Sequence, residues 1–151
     1  MADATKLAAA WEPRVLSLLR IIVGLMFMEH GLGKLIGFPP VPSQPAAFHL
    51  LWFAGIIETV GGFLVAIGLF TRGAAFIMSG EMAIGYFMAH APRGLYPVLN
   101  GGDAAILYSL IFFYFFVAGG GAWSVDRLRS PAGCRPIRDR LTGAMSKHGT
   151  T

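Results

Sequence analysis

The chain has 151 residues, of which 55% are hydrophobic and only 13% are charged. Its mean hydropathy of +0.62 is well above that of soluble domains and predicts an integral membrane protein. The formal net charge of +4 comes largely from the residues after Trp123, which favours contact with anionic lipid headgroups. Nothing in the sequence is typical of a nucleic-acid-binding domain.

Four apolar segments each approach the length of about 20 residues that a helix needs to cross the hydrocarbon of a membrane. The tight connection at Thr71–Arg72 makes neighbouring segments antiparallel. The expected fold is therefore all-α, an integral membrane four-helix antiparallel bundle. We expect a short cytoplasmic segment at 1–13, a transmembrane domain at 14–123 with helices at about 14–38, 48–70, 73–91 and 103–123, and a basic cytoplasmic tail at 124–151.

Basic residues are distributed unevenly between the two ends of the predicted helices. By the positive-inside rule this asymmetry predicts that both termini face the cytoplasm, in a multi-pass protein of the bacterial cytoplasmic (inner) membrane. One side carries Lys6, Arg14, Arg72, Arg127, Arg129, Arg135, Arg138, Arg140 and Lys147, and the other side carries Lys34 and Arg93.

The tail after Trp123 contains the single cysteine, Cys134. A single cysteine allows no internal disulfide and no CxxC redox motif, and we interpret it as a reduced surface thiol. Within the same tail, apolar residues recur every four positions, which suits a short helix on the membrane surface, although Pro131 and Pro136 make a disordered tail an equal alternative. The apolar positions are Ile137, Leu141 and Met145.

Ionisable residues inside the apolar segments are the strongest functional signal, because charges in lipid are costly. Helical periodicity places Glu58 and Glu81 on faces rich in small residues, which should turn toward the interior of the bundle. Counting along the helices puts Arg20, Glu81 and Glu58 at depths of roughly 10, 13 and 18 Å, so we expect one network. Glu29 points away from the stripe that contains Arg20.

Two carboxylates beside one guanidinium are expected to share one proton at neutral pH, which makes Glu58, Glu81 and Arg20 candidates for a proton relay. The alternative is that these three residues only hold the helices together. No catalytic residue is assigned.

A second polar group gathers at the outer ends of the helices and in the outer loops. We interpret it as a wet vestibule for a small amphipathic molecule. A quinone fits such a site, with its ring near Phe27, Tyr86 and Tyr108. The histidine spacing of a haem or metal site is absent, and no metal site is predicted. The ligand-binding candidates are Arg20, His30, Lys34, Glu58, His90, Asn100 and Asp103; His49 and Arg93 accompany them.

Three stretches together resemble the DoxX family of membrane proteins. RIIVGLMFMEHGLGKL begins at Arg20, GIIETVGGFLVAIGLFTR begins at Gly55, and NGGDAAILYS begins at Asn100 and is followed by GGGAWSVDRL. The resemblance covers about residues 14–129. It implies a four-helix integral membrane protein, and it links the chain to the membrane subunit of thiosulfate:quinone oxidoreductase, to quinone and thiol metabolism and to oxidative-stress complexes.

The resemblance also implies which positions match the family pattern. Asp103 stands where relatives often carry Glu, which keeps the charge on a shorter side chain. Glu81 is less clearly a family position. The matching positions are Arg20, Gly24, His30, Gly31, Lys34, Glu58, Asn100, Gly101, Gly102 and Asp103.

Three functions remain open. The first is an accessory or quinone-interacting subunit of a membrane redox system, related to thiosulfate, thiols or oxidative stress; the second is a scaffold or assembly factor for a soluble redox enzyme; the third is a small proton-coupled transporter. The chain carries no recognised nucleotide or nucleophile motif, so at most a non-catalytic or quinone-binding subunit of an oxidoreductase is expected. No cofactor is firmly predicted, and a quinone is the candidate. The expected partners are membrane lipids, a soluble redox enzyme or other respiratory subunit, and further copies of the chain.

Overall fold

The computed structural model describes residues 2–40 and 44–129, with side chains from Thr5 onward. This part of the chain is all-helical and contains no strand, which confirms the all-α prediction. The predictions for the tail after residue 129, including Cys134 and the surface helix, lie outside the described residues. The helices are α1 (Ala2–Ile36), α2 (Leu50–Ile67), α3 (Thr71–Gly85), α4 (Pro97–Asn100), α5 (Asp103–Ala118) and α6 (Val125–Arg129).

Two helix boundaries differ from those expected from hydropathy. Helix α1 has 35 residues and is continuous from Ala2, so most of the segment predicted at 1–13 is helical. Helix α5 ends at Ala118 because Gly119 and Gly121 adopt positive φ angles of 88° and 75°, which a helix interior does not accommodate. At its far end, α3 continues through a π-helical turn and a 3-10 turn as far as Arg93.

Among the described residues, two helices are long and apolar enough to cross a membrane. They are Thr5–Ile36 within α1, whose most apolar stretch of 18 residues has a mean hydropathy of 1.7, and Leu50–Ile67, with a mean hydropathy of 2.0. Helix α5 is a shorter apolar helix. Much of the outer surface of the described residues is apolar, including Phe63, Phe76 and Leu110, as expected where lipid and not water is the solvent.

Helices α1 and α2 pack closely through glycines. A Cβ added at Gly24 would lie 2.7 Å from the backbone nitrogen of Ala66, and one at Gly31 would lie 2.5 Å from that of Thr59. From α2, a Cβ at Gly62 would lie 2.8 Å from the backbone nitrogen of Met28. Only glycine allows this approach, and the contacts fix an antiparallel register in which residues 28–31 of α1 are level with residues 59–62 of α2.

Helices α3 and α5 form the second close pair. Ser79 donates its hydroxyl to the carbonyl of Ser109 at 2.8 Å, and Ser109 donates to the carbonyl of Ser79 at 3.0 Å. Such reciprocal hydrogen bonds join helices in a medium without water. Between the two pairs lies a core of buried side chains that includes Phe27, Met78 and Phe112.

Candidate functional site

A partly buried ion pair joins α1 and α2. Lys34, in the last turn of α1, donates from Nζ to Oε1 of Glu58 at 2.5 Å. Glu58 is 1% exposed, and its second oxygen, Oε2, is buried without a hydrogen-bond partner. The glycine contacts between α1 and α2 bring these two residues to the same level. Half of this carboxylate is therefore available for a further donor.

Glu81 of α3 adds a second acid to the same region. Both of its carboxyl oxygens are buried and have no hydrogen-bond partner. It lies within electrostatic range of Glu58 and Lys34. We call Lys34, Glu58 and Glu81 the acid cluster. Two carboxyl groups beside one ammonium group reach neutrality only when one carboxyl carries a proton, so the cluster can hold and release a proton.

Aromatic rings of α1 and α5 pack near this cluster. The ring of Phe27 lies 5.2 Å from that of Tyr108 and 4.7 Å from that of Phe112. The ring of His30 lies 5.8 Å from that of Tyr108, and its Nδ1 is 2.9 Å from the carbonyl oxygen of Met26. These contacts join α1 to α5 through side chains.

Arg20 does not join the two acids, and the predicted network of Arg20 with Glu58 and Glu81 is wrong on this point. Its guanidinium donates to backbone carbonyl groups at the other end of the bundle. The segment after α5 folds back against α1 and α2. Its backbone carbonyl groups accept hydrogen bonds from Arg20 in place of the predicted acceptors, Glu58 and Glu81. The acceptors are Gly120 at 2.9 Å, Ala66 and Trp123 at 2.7 Å, and Val65.

Asp126 of α6 completes this end of the molecule, which we call the inner end. Its carboxylate accepts the backbone N–H groups of Phe70 and Thr71, each at 2.8 Å, at the start of α3. Burial alone would raise the pKa of Asp126, but these N–H groups and the nearby Arg20 hold its pKa below the ordinary value. Arg72 donates to the carbonyls of Phe116 and Val117 at 2.7 and 2.8 Å, at the end of α5.

The remaining ligand-binding candidates lie in the connection between α3 and α5. Asn100 is buried and donates from Nδ2 to the carbonyl of Gly94 at 2.8 Å, while its Oδ1 accepts the N–H of Gly102 at 2.8 Å. His90 Nδ1 is 3.1 Å from the carbonyl oxygen of Asn100. Tyr86 lies here as well, with its hydroxyl 3.5 Å from Asn100 Nδ2. Asp103 is exposed at the first position of α5.

The structure therefore divides the candidates among three places. Lys34, Glu58 and Glu81 come together, with His30 and Tyr108 on neighbouring faces, whereas Arg20 belongs to the inner end. His90, Asn100 and Asp103 belong to the connection between α3 and α5. The residues described include no group of three or more His, Cys, Asp or Glu side chains arranged to hold a metal ion.

Sequence reasoning missed the role of Lys34, which it placed in an outer vestibule and not beside Glu58. The glycines of both helices repeat every seven residues, which indicates a close antiparallel contact. Aligning Gly24 and Gly31 with Gly62 and Gly55 places Lys34 opposite Trp52, however, so the pattern does not by itself predict the pair of Lys34 and Glu58. The role of Asp126 had no comparable signal.

These features define an all-helical protein with a lipid-compatible surface and buried ionisable groups. The DoxX family model matches residues 15–91. An uncharacterised protein of Haemophilus influenzae is 45% identical over 122 residues, covering 77% of this chain and 91% of the relative. An uncharacterised membrane protein of Mycobacterium tuberculosis is 30% identical over 145 residues, covering 81% and 85%. No solved structure matches. The chain belongs to the DoxX family and is a membrane protein.

Proposed function

We propose that the chain crosses the bacterial inner membrane four times, through α1, α2, α3 with its two terminal turns, and α5, with both termini in the cytoplasm. The N–H of Ala122 donates to the carbonyl of Pro13 at 3.0 Å, so the N-terminal part of α1 and the segment leading to α6 lie at the same end. That end carries most of the basic residues, which supports a cytoplasmic location.

Within this topology, we propose that the protein is an accessory subunit of a membrane redox system and binds the polar head of a quinone at the acid cluster. One observation carries the proposal. Three carboxyl oxygens, Oε2 of Glu58 and both oxygens of Glu81, are buried without a hydrogen-bond partner. Buried polar atoms are nearly always satisfied, so an unpaired set in one place indicates a missing polar ligand.

The chemistry of the cluster suits a ligand with carbonyl oxygens. A protonated Glu81 donates one hydrogen bond, and the Lys34 ammonium group has donors left beyond the one given to Glu58. A quinone supplies two-electron, two-proton redox chemistry, and the cluster holds a proton that such chemistry consumes. Since the described residues contain no redox group of their own, the electrons come from a partner enzyme.

The surroundings of the cluster also suit the apolar part of the ligand. An apolar groove of about 240 Å³ lies between α2 and α3 and includes Ile57 and Met78. Ile57 directly precedes Glu58, and Met78 lies one turn before Glu81 on α3. An alkyl tail in this groove would remain in contact with lipid while the head reaches the acids.

The test is extraction of the protein in a mild detergent, followed by quantification of bound quinone by mass spectrometry. We expect the wild type to retain quinone, and we expect Glu81→Gln and Glu58→Gln to lose most of it, because each change removes a carboxyl group and leaves side-chain size unchanged. Glu12→Gln is the matched control, the same change in the N-terminal part of α1, far along the helix from Lys34, and it should retain wild-type levels.

The other two functions give different results in this experiment. A scaffold would retain a soluble redox enzyme in all variants and bind no quinone in any of them. A proton-coupled carrier would bind no quinone but would move protons in proteoliposomes under a pH gradient, and Glu81→Gln would stop that movement. Either result would contradict the quinone proposal.

A further inference from the structure

Helix α1 presents one face that none of the other described residues covers. Its 35 residues extend about 52 Å, well beyond a hydrocarbon layer of about 30 Å. Exposed side chains recur along it at helical spacing and form one continuous face, which we call the outer stripe of α1. The stripe consists of Leu7, Trp11, Val15, Leu18, Ile22 and Leu25, and the next position in the same series is Glu29.

In the proposed topology, Glu29 lies near the middle of the part of α1 that crosses the membrane. In the antiparallel register, Met28 is opposite Gly62 and Gly31 is opposite Thr59, so Glu29 is level with Gly61, about 4 Å along the axis from the centre of α2. Its side chain is exposed and makes no hydrogen bond or ion pair with any other described residue. An acid at this depth almost always faces a protein interior or a polar partner, because contact with lipid is costly.

We propose that the outer stripe of α1 is the contact surface of a homodimer whose twofold axis is parallel to the membrane normal. The two copies of α1 run parallel, and each stripe residue faces its own counterpart. At the centre, the two Glu29 carboxyl groups hydrogen-bond to one another, with at least one of them protonated. This inference rests on α1 crossing the membrane and is independent of quinone binding.

Three considerations favour a second copy over other occupants. Lipid headgroups do not reach the centre of the bilayer, so they cannot pair with Glu29. A protonated carboxyl group both donates and accepts, so the same residue on a twofold-related copy is a complete partner. The stripe also continues to Leu7 and Trp11, at and beyond the membrane boundary, where a dimer of parallel helices covers both side chains. A single polar residue in such an apolar seam fixes the register of the pair.

Cysteine cross-linking in native membranes tests the geometry. In a Cys134→Ser background, single cysteines at Ile22 or Leu25 should give disulfide-linked dimers on mild oxidation. Cysteines at Ile77 on α3 and Leu110 on α5 are the controls, since these side chains are exposed to a similar extent on other faces, and they should not cross-link. Cross-linking at the control positions and not on α1 would overturn the proposal.

The role of Glu29 is tested by measuring dimer dissociation on dilution in liposomes, with fluorescently labelled protein. Glu29→Leu should weaken association by about fivefold or more, as expected for loss of an interhelical hydrogen bond in a membrane. Glu29→Gln should stay close to the wild type, because an amide also donates and accepts. Both variants should keep their bound quinone, which separates this test from that of the proposed function. A monomeric wild type, or equal association of wild type and Glu29→Leu, would refute the dimer.

Discussion

The inner end and the acid cluster both contain buried or partly buried charges, but they use them differently. At the inner end, Arg20 donates to four carbonyls and Asp126 accepts two backbone N–H groups. In the acid cluster, Lys34 and Glu58 share one hydrogen bond and Glu81 has none. The charged groups of the inner end form hydrogen bonds with the backbone of the fold, while the carboxyl groups of the cluster retain oxygens without a hydrogen-bond partner.

The comparison gives a criterion for separating structural from functional charges in a small membrane protein. Burial alone does not distinguish them, since Arg20 and Glu58 are both almost fully buried. The number of donors and acceptors without a hydrogen-bond partner does distinguish structural from functional charges. A residue whose polar atoms all bond to backbone groups stabilises the fold, whereas a buried carboxyl group with unpaired oxygens destabilises it and is retained for another reason.

The largest expected effect is that of Arg20→Met, which leaves the four carbonyl acceptors of Arg20 without their donor. We expect the free energy of unfolding to fall by at least about 3 kcal/mol, since each buried unsatisfied group costs about 1 to 3 kcal/mol. Arg93→Met, at an exposed arginine, is the control and should change little. Unfolding in mixed micelles with increasing SDS measures the difference.

For Glu81→Leu, the comparison predicts no fall in the free energy of unfolding. Replacing an acid that has no partner with an apolar side chain of similar size should leave stability unchanged or raise it, while the change removes the proton-holding group. A destabilisation of Glu81→Leu comparable to that of Arg20→Met would contradict the distinction between the two regions.

An intermediate effect is expected at the ion pair of the acid cluster. Lys34→Met leaves Glu58 as an uncompensated buried acid and should cost about 2 kcal/mol, less than a fully buried pair because Lys34 is partly exposed. The double variant Lys34→Met with Glu58→Leu should recover most of that loss. If the double variant is no more stable than the single one, Lys34 contributes through packing and not through its charge.

The smallest effect is that of Asp126→Asn, and it depends on pH. Because the pKa of Asp126 is lowered in the folded protein, its contribution is fully present above the unfolded pKa of about 4 and is lost as the pH falls through the folded value. At neutral pH the variant should lose about 1 kcal/mol, as other capping residues do. Below about pH 4 the wild type and the variant should converge, and equal pH slopes for the two proteins would contradict this role.

The sequence was sufficient for the all-α fold and for the family. The small-residue faces of α1 and α2 were also predictable, because glycines at helical spacing indicate a close helix contact. The partners of Arg20 were not, because periodicity assigns a face and a depth but does not reveal which group lies opposite. Here the segment from Gly119 to Ser124 folds back against α1 and α2 and supplies carbonyl acceptors to Arg20. A hydropathy pattern does not predict such a change in chain direction.

The connection between α2 and α3, Gly68–Phe70, constrains how the protein is made. Helix α2 is long and apolar enough to cross a membrane, whereas α3 has 15 residues and carries Arg72, Ser79 and Glu81. Because only three residues connect the two helices, α3 must stay close to the end of α2 when α2 inserts. In the proposed topology the two helices enter the bilayer together as a hairpin, so α2 provides the driving force that places Glu81 inside the membrane.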